Sequence, residues 1–187
     1  EAEYPARDRV HGTAMASLIV HGDLGAGDAP LTRQLYVRPI LQPDPRDWHQ
    51  PRYERVPESV LVVGLVHRAV RRLFEGEGQE PASAPEVCVV NLSIGIRDRP
   101  FQSAMTPLAR LLDWLSWEYR VLFVVSAGNH DGPIRIGVPR DQVAGLSAEA
   151  LQDSVLRAVA EDSRHRRLLS PAEAMNALTV GATHSDA

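Results

Sequence analysis

The chain has 187 residues, a formal net charge of −4 and 44% hydrophobic residues. This length suits one domain or a large part of one, and the apolar content is sufficient for a folded core. The chain does not have the excess of basic residues that is typical of nucleic-acid-binding proteins. No apolar stretch approaches the ~18 residues of a membrane-spanning helix. We therefore expect neither a nucleic acid nor a membrane as partner.

The only cysteine, Cys88, lies in the apolar run VCVVNL. A single cysteine excludes an intrachain disulfide and a CxxC zinc site. We expect Cys88 to be a small buried residue. The absence of disulfides is compatible with a reducing compartment such as the cytoplasm, and no signal-peptide pattern precedes the first predicted helix. The compartment itself stays open.

The first predicted element is a short helix from about Gly12 to Val20. Met15, Leu18 and Ile19 recur at the spacing of one helix face, and the other positions are mostly Ala, Ser and Thr. Because a helix without a charged face is usually buried, we expect this helix to lie in a core.

The rest of the chain alternates between predicted strands and predicted helices. The runs EVCVVNLSIG and RVLFVVSAGN are nearly continuous apolar stretches, typical of parallel strands covered on both faces. The alternation indicates βαβ units, so the predicted fold class is α/β with a doubly wound, mostly parallel sheet. The predicted strands are 34–41, 86–95, 120–129 and 174–183, and the predicted helices after the first are about 57–74, 103–119 and 147–164.

A basic run, Arg164 to Arg167, follows the last predicted helix. We expect these side chains to complement the negative end of the helix dipole. A site for an anionic ligand is the alternative interpretation.

Two of the predicted strands end in small and polar residues, where ligands bind in parallel sheets. Ser93, Ile94 and Gly95 could be an ordinary strand exit or a backbone edge that pairs with an extended peptide. Asn129, after Ala127 and Gly128, could be a turn residue that tolerates a left-handed conformation or a neutral donor to a developing oxyanion. The residues alone leave both alternatives open.

His11 stands directly before Gly12, at the start of the first predicted helix. A histidine in this position is either a structural residue or a catalytic base. The positive end of a helix disfavours an imidazolium, which keeps an imidazole available as a base, and Gly12 allows close approach of another chain.

Four motifs in order resemble those of the subtilisin-like serine proteases, the subtilases (peptidase family S8). HGTAMASLI resembles the histidine motif of the family, and VVNLSIG resembles the strand that borders its substrate cleft. VLFVVSAGNHDG resembles the oxyanion-hole motif, and NALTVGATHSD resembles the strand that follows it. The resemblance spans nearly the whole chain, which we interpret as part of a subtilase catalytic domain (1–187) with insertions near 42–56 and 133–170.

The resemblance implies a role for each matching residue. His11 would be the general base, and Asn129 would donate a hydrogen bond to the oxyanion of the tetrahedral intermediate. Ser93, Ile94 and Gly95 would pair with the substrate backbone. The pocket for the side chain before the scissile bond would be lined by Ser126, Ala127 and Gly128.

The sequence departs from the family pattern because it lacks the motifs of the catalytic aspartate and of the nucleophilic serine. It contains no strand ending in Asp and Gly before His11, where Asp8 is a poor substitute, and no Gly-Thr-Ser motif after VGATHSD. Ser170 and Ser93 lack the context of a nucleophile. We therefore expect the central part of a serine endopeptidase, a chain inactive by itself. The alternative is a pseudoenzyme that holds an extended peptide in the same cleft.

Other classes of site fit less well. The seven histidines form no HExxH motif, and the glycines of GDLGAGD follow a helix and not a strand, which argues against a zinc hydrolase and a nucleotide-binding loop. We expect no cofactor and no metal site, since Asp23 and Asp28 lack the spacing of a calcium loop. The expected partner is a peptide or protein substrate. Self-association through an unpaired sheet edge is a further expectation.

Overall fold

The computed structural model describes residues 6–130 and 132–182. These residues form two compact units, one ending at Glu86 and the other beginning at Val87. In the described ranges, no helix is long and apolar enough to cross a membrane.

The described part of the first unit contains two helices, a short 3-10 turn and a two-stranded hairpin. The turn is Ala6–Asp8, the helices are α1 (Val10–His21) and α2 (Val62–Phe74), and the antiparallel strands are β1 (Gln42–Pro43) and β2 (Glu54–Arg55). The predicted strand 34–41 does not form. These residues are irregular and connect α1 to β1.

Helix α1 confirms the predicted helix but not its predicted burial. None of its residues is buried, and Leu18 and Val10 are 57% and 52% exposed. The absence of charged residues makes this helix compatible with burial, but burial also requires a complementary face, which the pattern along one helix does not specify.

Helix α2 begins at Val62, five residues after the predicted start at Pro57, and ends at Phe74 as predicted. It buries Val66, Val70 and Leu73, which recur at the spacing of one helix face. Its arginines lie on the exposed side, where Arg71 pairs with Glu75 at 2.9 Å and Arg68 with Glu77 at 2.8 Å.

The second unit, over its described residues, contains three helices and five strands. The helices are α3 (Pro107–Tyr119), α4 (Arg140–Val143) and α5 (Ala148–Glu161), and the strands are β3 (Val89–Leu92), β4 (Ile96–Pro100), β5 (Leu122–Ser126), β6 (Leu169–Ser170) and β7 (Ala177–Val180). Strands β3, β5 and β7 form a parallel sheet in that order, and β4 pairs with β6 in a separate antiparallel ladder. The predicted α/β class with a parallel sheet is confirmed.

One face of the parallel sheet packs against α3. Alternate residues of the central strand β5, Phe123 and Val125, are 0% and 1% exposed, as expected for a strand with one buried face. Helix α3 contributes a buried stripe to this core, formed by Leu108, Ala109, Leu112 and Leu115.

The opposite face of the sheet is exposed, contrary to the prediction of strands covered on both faces. Val89, Leu122, Leu178 and Val180 point to this side and are 43–53% exposed. The apolar run correctly predicted the strands, but a strand's composition does not specify that a covering element is present.

Cys88 is also exposed, so its predicted burial is wrong. It lies one residue before β3 and therefore precedes the paired register of the sheet, which begins at Val89. Its carbonyl oxygen still accepts a hydrogen bond from the Leu122 N–H, at 2.9 Å.

Candidate active site

The two predicted peptide-binding segments lie at one edge of the parallel sheet. Ser93 to Gly95 follow β3, and Ser126 to Asn129 end and follow β5, which pairs directly with β3. Because parallel strands end at the same edge, these segments become neighbours. The Asn91 side chain donates to the Ser93 hydroxyl at 3.0 Å, and the Gly128 N–H donates to the Ser126 hydroxyl at 3.1 Å.

The two segments approach to within backbone contact at their glycines. A Cβ added to Gly95 would lie 3.1 Å from the Gly128 Cα. Gly128 also has a φ of +100°, a conformation that L side chains rarely adopt. The backbone angle of Gly128 therefore favours glycine, and a side chain at Gly95 would fit only if the Gly128 backbone moved by a few tenths of an ångström.

The side chain of Leu169 packs against both glycines. A Cβ added to Gly128 would lie 2.6 Å from the Leu169 Cβ and Cγ, and one added to Gly95 would lie 3.5 Å from the Leu169 Cβ. Leu169 is 2% exposed, and its N–H donates to the Ala127 carbonyl at 3.0 Å. The sequence did not point to Leu169, because no local pattern links it to residues about 40 and 70 positions earlier.

Asn129 comes directly after Gly128 in the chain and is exposed, so its side-chain amide can reach a ligand. It lines a cavity of about 260 Å³ in the second unit. The other residues that line the cavity are Arg97, His130, Gly132, Asp162, His165, Arg166 and Leu169.

The basic run after α5 contacts the loop that carries Asn129. Arg166 donates to the Gly132 carbonyl at 2.9 Å, and the Arg167 carbonyl contacts Nε2 of His130 at 2.8 Å. His165 and Arg166 also bind Asp162 at 2.8 Å each, and the hydrogen bond from His165, followed by that from Arg166, lowers the pKa of the Asp162 carboxyl. The Arg166 side chain thus links the loop to Asp162, and His165 contacts Asp162 alone, roles that neither sequence interpretation predicted.

His11 occupies the first turn of α1 in the first unit and is exposed. Asp8, three residues earlier, is 4% exposed. Within residues 6–130 and 132–182, no hydrogen bond joins Asp8 to His11, and Asp8 Oδ1 has no hydrogen-bond partner. The contacts of Asp8 are therefore not those of a carboxylate that orients the His11 ring.

Ser170 is buried, and its environment is structural. It is 1% exposed, and its hydroxyl lies 2.6 Å from the Thr106 Oγ1, which in turn donates to Glu173 at 2.6 Å. Thr106 also caps α3 by accepting from the Ala109 N–H. A serine in this network has no access to a substrate.

For the part of the chain that the structure describes, there is no group of three or more His, Cys, Asp or Glu side chains arranged to hold a metal ion. At the sheet edge, the groups available to a ligand include backbone groups, the Asn129 amide and the neighbouring polar side chains.

A model of the subtilase family matches residues 2–187, nearly the whole chain. No curated protein and no solved structure matches it. The parallel sheet of β3, β5 and β7 is consistent with an incomplete α/β fold of the subtilisin-like type. The chain therefore belongs to the subtilase family, whose members are serine peptidases.

Proposed function

We propose that this chain is the central part of a serine endopeptidase that hydrolyses peptide bonds through an acyl-enzyme. The observation that carries the proposal is the family match over residues 2–187. The neighbouring ends of β3 and β5 support it, because they put backbone groups and the Asn129 amide at one edge of the sheet.

In this proposal, an extended substrate pairs with the backbone of Ser93, Ile94 and Gly95. The carbonyl oxygen of the bond to be cleaved accepts a hydrogen bond from the Asn129 side chain, which stabilises the negative charge that develops on that oxygen. Ser126, Ala127 and Gly128 border the side chain of the same substrate residue.

His11 acts as the general base in this mechanism. It takes the proton from a serine nucleophile as the nucleophile attacks, and it returns the proton to the leaving amine. The 187 residues contain no Gly-Thr-Ser motif for that nucleophile, so we propose that the chain by itself forms no acyl-enzyme.

A fluorophosphonate probe tests the proposal, because it reacts covalently with an activated serine. We expect stoichiometric labelling of the intact protease that contains these residues, and no labelling of the 187-residue chain. Labelling of the isolated chain would contradict the proposal that its nucleophile lies elsewhere. Absence of labelling in the intact protein, together with peptide binding, would support the pseudoenzyme.

Two variants of the intact protein separate the proposed roles. His11→Ala should abolish labelling, because the serine loses its base. Asn129→Ala should leave KM nearly unchanged and lower kcat by roughly 10²–10³, a range already established by measurement on an oxyanion donor of this family. The matched control is Asn176→Ala, which removes an exposed asparagine whose side chain donates to the Asp113 carbonyl at 3.3 Å.

A further inference from the structure

We propose that Arg166, held by Asp162, is a positioning residue for Asn129 and acts on catalysis only through the loop that carries this asparagine. The proposal rests on the proposed function, because the role of Asn129 as the oxyanion donor belongs to it. It adds two residues that determine where the Asn129 amide lies. Both are within 133–170, the stretch that we interpret as an insertion in the family pattern.

The segment that leads into β6 runs alongside the loop of Asn129, in the opposite direction. Two residues before Asn129, the Ala127 carbonyl accepts a hydrogen bond from the Leu169 N–H at 3.0 Å. Directly after Asn129, Nε2 of His130 contacts the Arg167 carbonyl at 2.8 Å. Asn129 therefore lies between two points at which its loop is bonded to the same segment.

Arg166 makes the next contact along these two strands of chain. Its Nη2 donates to the Gly132 carbonyl at 2.9 Å, and its Nε donates to the Asp162 carboxylate at 2.8 Å. The Arg166 side chain is 17% exposed, so most of it is removed from water. Arg166 therefore bridges the loop after Asn129 to Asp162, which directly follows α5.

This bridge depends on the shape of the guanidinium group. Arg166 uses two different nitrogen atoms for its two partners, and the planar group fixes the angle between these bonds. A lysine has a single nitrogen at the end of a flexible chain and cannot reproduce this geometry. Asp162 adds a charged acceptor, and hydrogen bonds to an ionised group are stronger than those between neutral groups.

The segment that leads into β6 is also anchored on its other side. The Phe101 N–H donates to the Leu168 carbonyl at 2.7 Å, and Nη1 of Arg167 donates to the Gln102 carbonyl at 3.1 Å. These partners directly follow β4, which pairs with β6. The segment is therefore a fixed support, against which Arg166 can hold the loop.

The position of the Asn129 amide depends on this support, because the Asn129 side chain itself is exposed. An oxyanion donor is effective only when it already points at the place where the negative charge develops. Loss of the Gly132 contact would free the loop on one side of Asn129. A displacement of about 1 Å at such a group can cost roughly 10²-fold in rate.

Direct contact of Arg166 with the substrate is the competing role. Arg166 and Asn129 line the same cavity of about 260 Å³, so a ligand in this cavity can reach both. A substrate contact would act independently of Asn129. A positioning residue would lose its effect once the Asn129 amide is removed, because nothing is left to position.

The test is a double-mutant cycle in the intact protease, with kcat and KM measured for wild type, Arg166→Ala, Asn129→Ala and the double variant. We expect Arg166→Ala to lower kcat by roughly tenfold to a hundredfold and to leave KM nearly unchanged. In the Asn129→Ala background, the same substitution should cause no further loss. Equal losses in both backgrounds, or a raised KM with the wild-type kcat, would overturn the proposal.

The matched control is Arg164→Ala, which removes the same charge from an exposed position of the same basic run. This variant should keep the wild-type kcat, and a loss equal to that of Arg166→Ala would contradict a specific role of Arg166. Arg166→Lys, which keeps the charge, should recover only part of kcat. If Arg166→Ala does not fold, Asp162→Ala takes its place in the cycle, with the same expected dependence on Asn129.

Hydrogen exchange of the backbone amides of residues 127–132, followed by mass spectrometry, separates the proposal from the proposed function. Arg166→Ala should exchange faster in this loop than wild type and Arg164→Ala. Faster exchange in a protein without peptidase activity would support the positioning role and contradict the peptidase function. Peptidase activity with the wild-type kcat in Arg166→Ala would do the reverse, and unchanged exchange would overturn the positioning role.

Discussion

The contacts inside the unit before Val87 differ in kind from the contacts inside the unit that begins at Val87. In the second unit, a helix and a sheet share a core in which Phe123, Leu112 and Leu115 are at most 1% exposed. In the first unit, the buried apolar side chains among the described residues all lie on α2. The loop between β1 and β2 is instead organised by hydrogen bonds to Asp47 and by the ion pair of Asp44 with Arg55.

This difference shows that apolar composition is not the same as a core. Helix α1 carries Met15, Leu18 and Ile19 at the spacing of one helix face but buries none of its residues, whereas most leucines of α3 are buried against the sheet of the same unit. Burial of apolar side chains stabilises the folded state in proportion to the area removed from water, whereas exposed ion pairs add little to the free energy of unfolding. We therefore expect mutations in the second unit to have the larger effects.

The largest effect is expected for Phe123→Ala at the centre of the sheet. Removing a fully buried ring leaves a cavity, which costs about 3–5 kcal/mol of the free energy of unfolding. Urea denaturation followed by circular dichroism measures this cost. Phe123→Leu, which conserves more volume, is the control and should cost under ~1.5 kcal/mol. A cost for the alanine variant no larger than that of the control would contradict the central position of this ring in the core.

A smaller effect is expected for Thr106→Ala at the start of α3. This variant removes the helix cap and the hydroxyl between Ser170 and Glu173, at a cost of about 1–2 kcal/mol. Thr106→Ser retains the hydroxyl and should recover most of the lost stability. Equal stability of the two variants, again measured by urea denaturation, would show that the hydroxyl network does not contribute.

The first unit should respond to acid through Asp47. The N–H groups of Tyr53 and His49 donate to this carboxylate at 2.6 and 3.0 Å, and these bonds, with that from the His49 ring, lower its pKa to about 2. Because the folded pKa lies below the ordinary value of 3.8, Asp47 stabilises the loop above about pH 4 and loses this effect as the pH falls toward 2.

A pH titration followed by NMR tests this prediction. The Tyr53 and His49 amide signals should shift with a midpoint near pH 2 in the wild type and should lack this transition in Asp47→Asn. The stability difference between the two proteins should narrow as the pH falls from 3.8 toward 2. A wild-type midpoint at the ordinary value of 3.8 would show that the backbone hydrogen bonds do not hold the carboxylate.

The smallest effect is expected for Leu18→Ala on α1. Since this leucine is 57% exposed, its truncation should change the free energy of unfolding by less than ~0.5 kcal/mol. Comparison with Phe123→Ala in the same urea experiment gives the sharpest contrast between the units. A cost similar to that of Phe123→Ala would mean that α1 is buried in solution.

Long apolar patterns predicted most of the second unit. Strands β3, β5 and β7 and helices α3 and α5 all lie within the predicted ranges, because each carries several apolar residues at the period of its element. Strand β4, with the sequence IRDRP, was missed because every residue after its first is charged or proline. Strand β6 has two residues, too few for any period.

The candidate site was predictable only in part. The small and polar residues at the ends of β3 and β5 could be found because parallel strands bring their ends to one edge. The roles proposed for His11 and Asn129 stay predictions until the variants are measured. The buried network of Ser170, Thr106 and Glu173 could not be foreseen, since Thr106 lies 64 and 67 residues before its two partners.

The sequence by itself determined which segments form most of the helices and strands, their α/β order and the motifs of a subtilase. Only the tertiary structure decided which apolar faces are covered and that Leu169 lies against Gly95 and Gly128. The physical reason is that a local pattern depends on neighbouring residues, whereas these contacts depend on how β5 pairs with β3 and how β6 pairs with β4. Strand pairing therefore brings a leucine against two glycines that lie about 40 and 70 residues earlier in the chain.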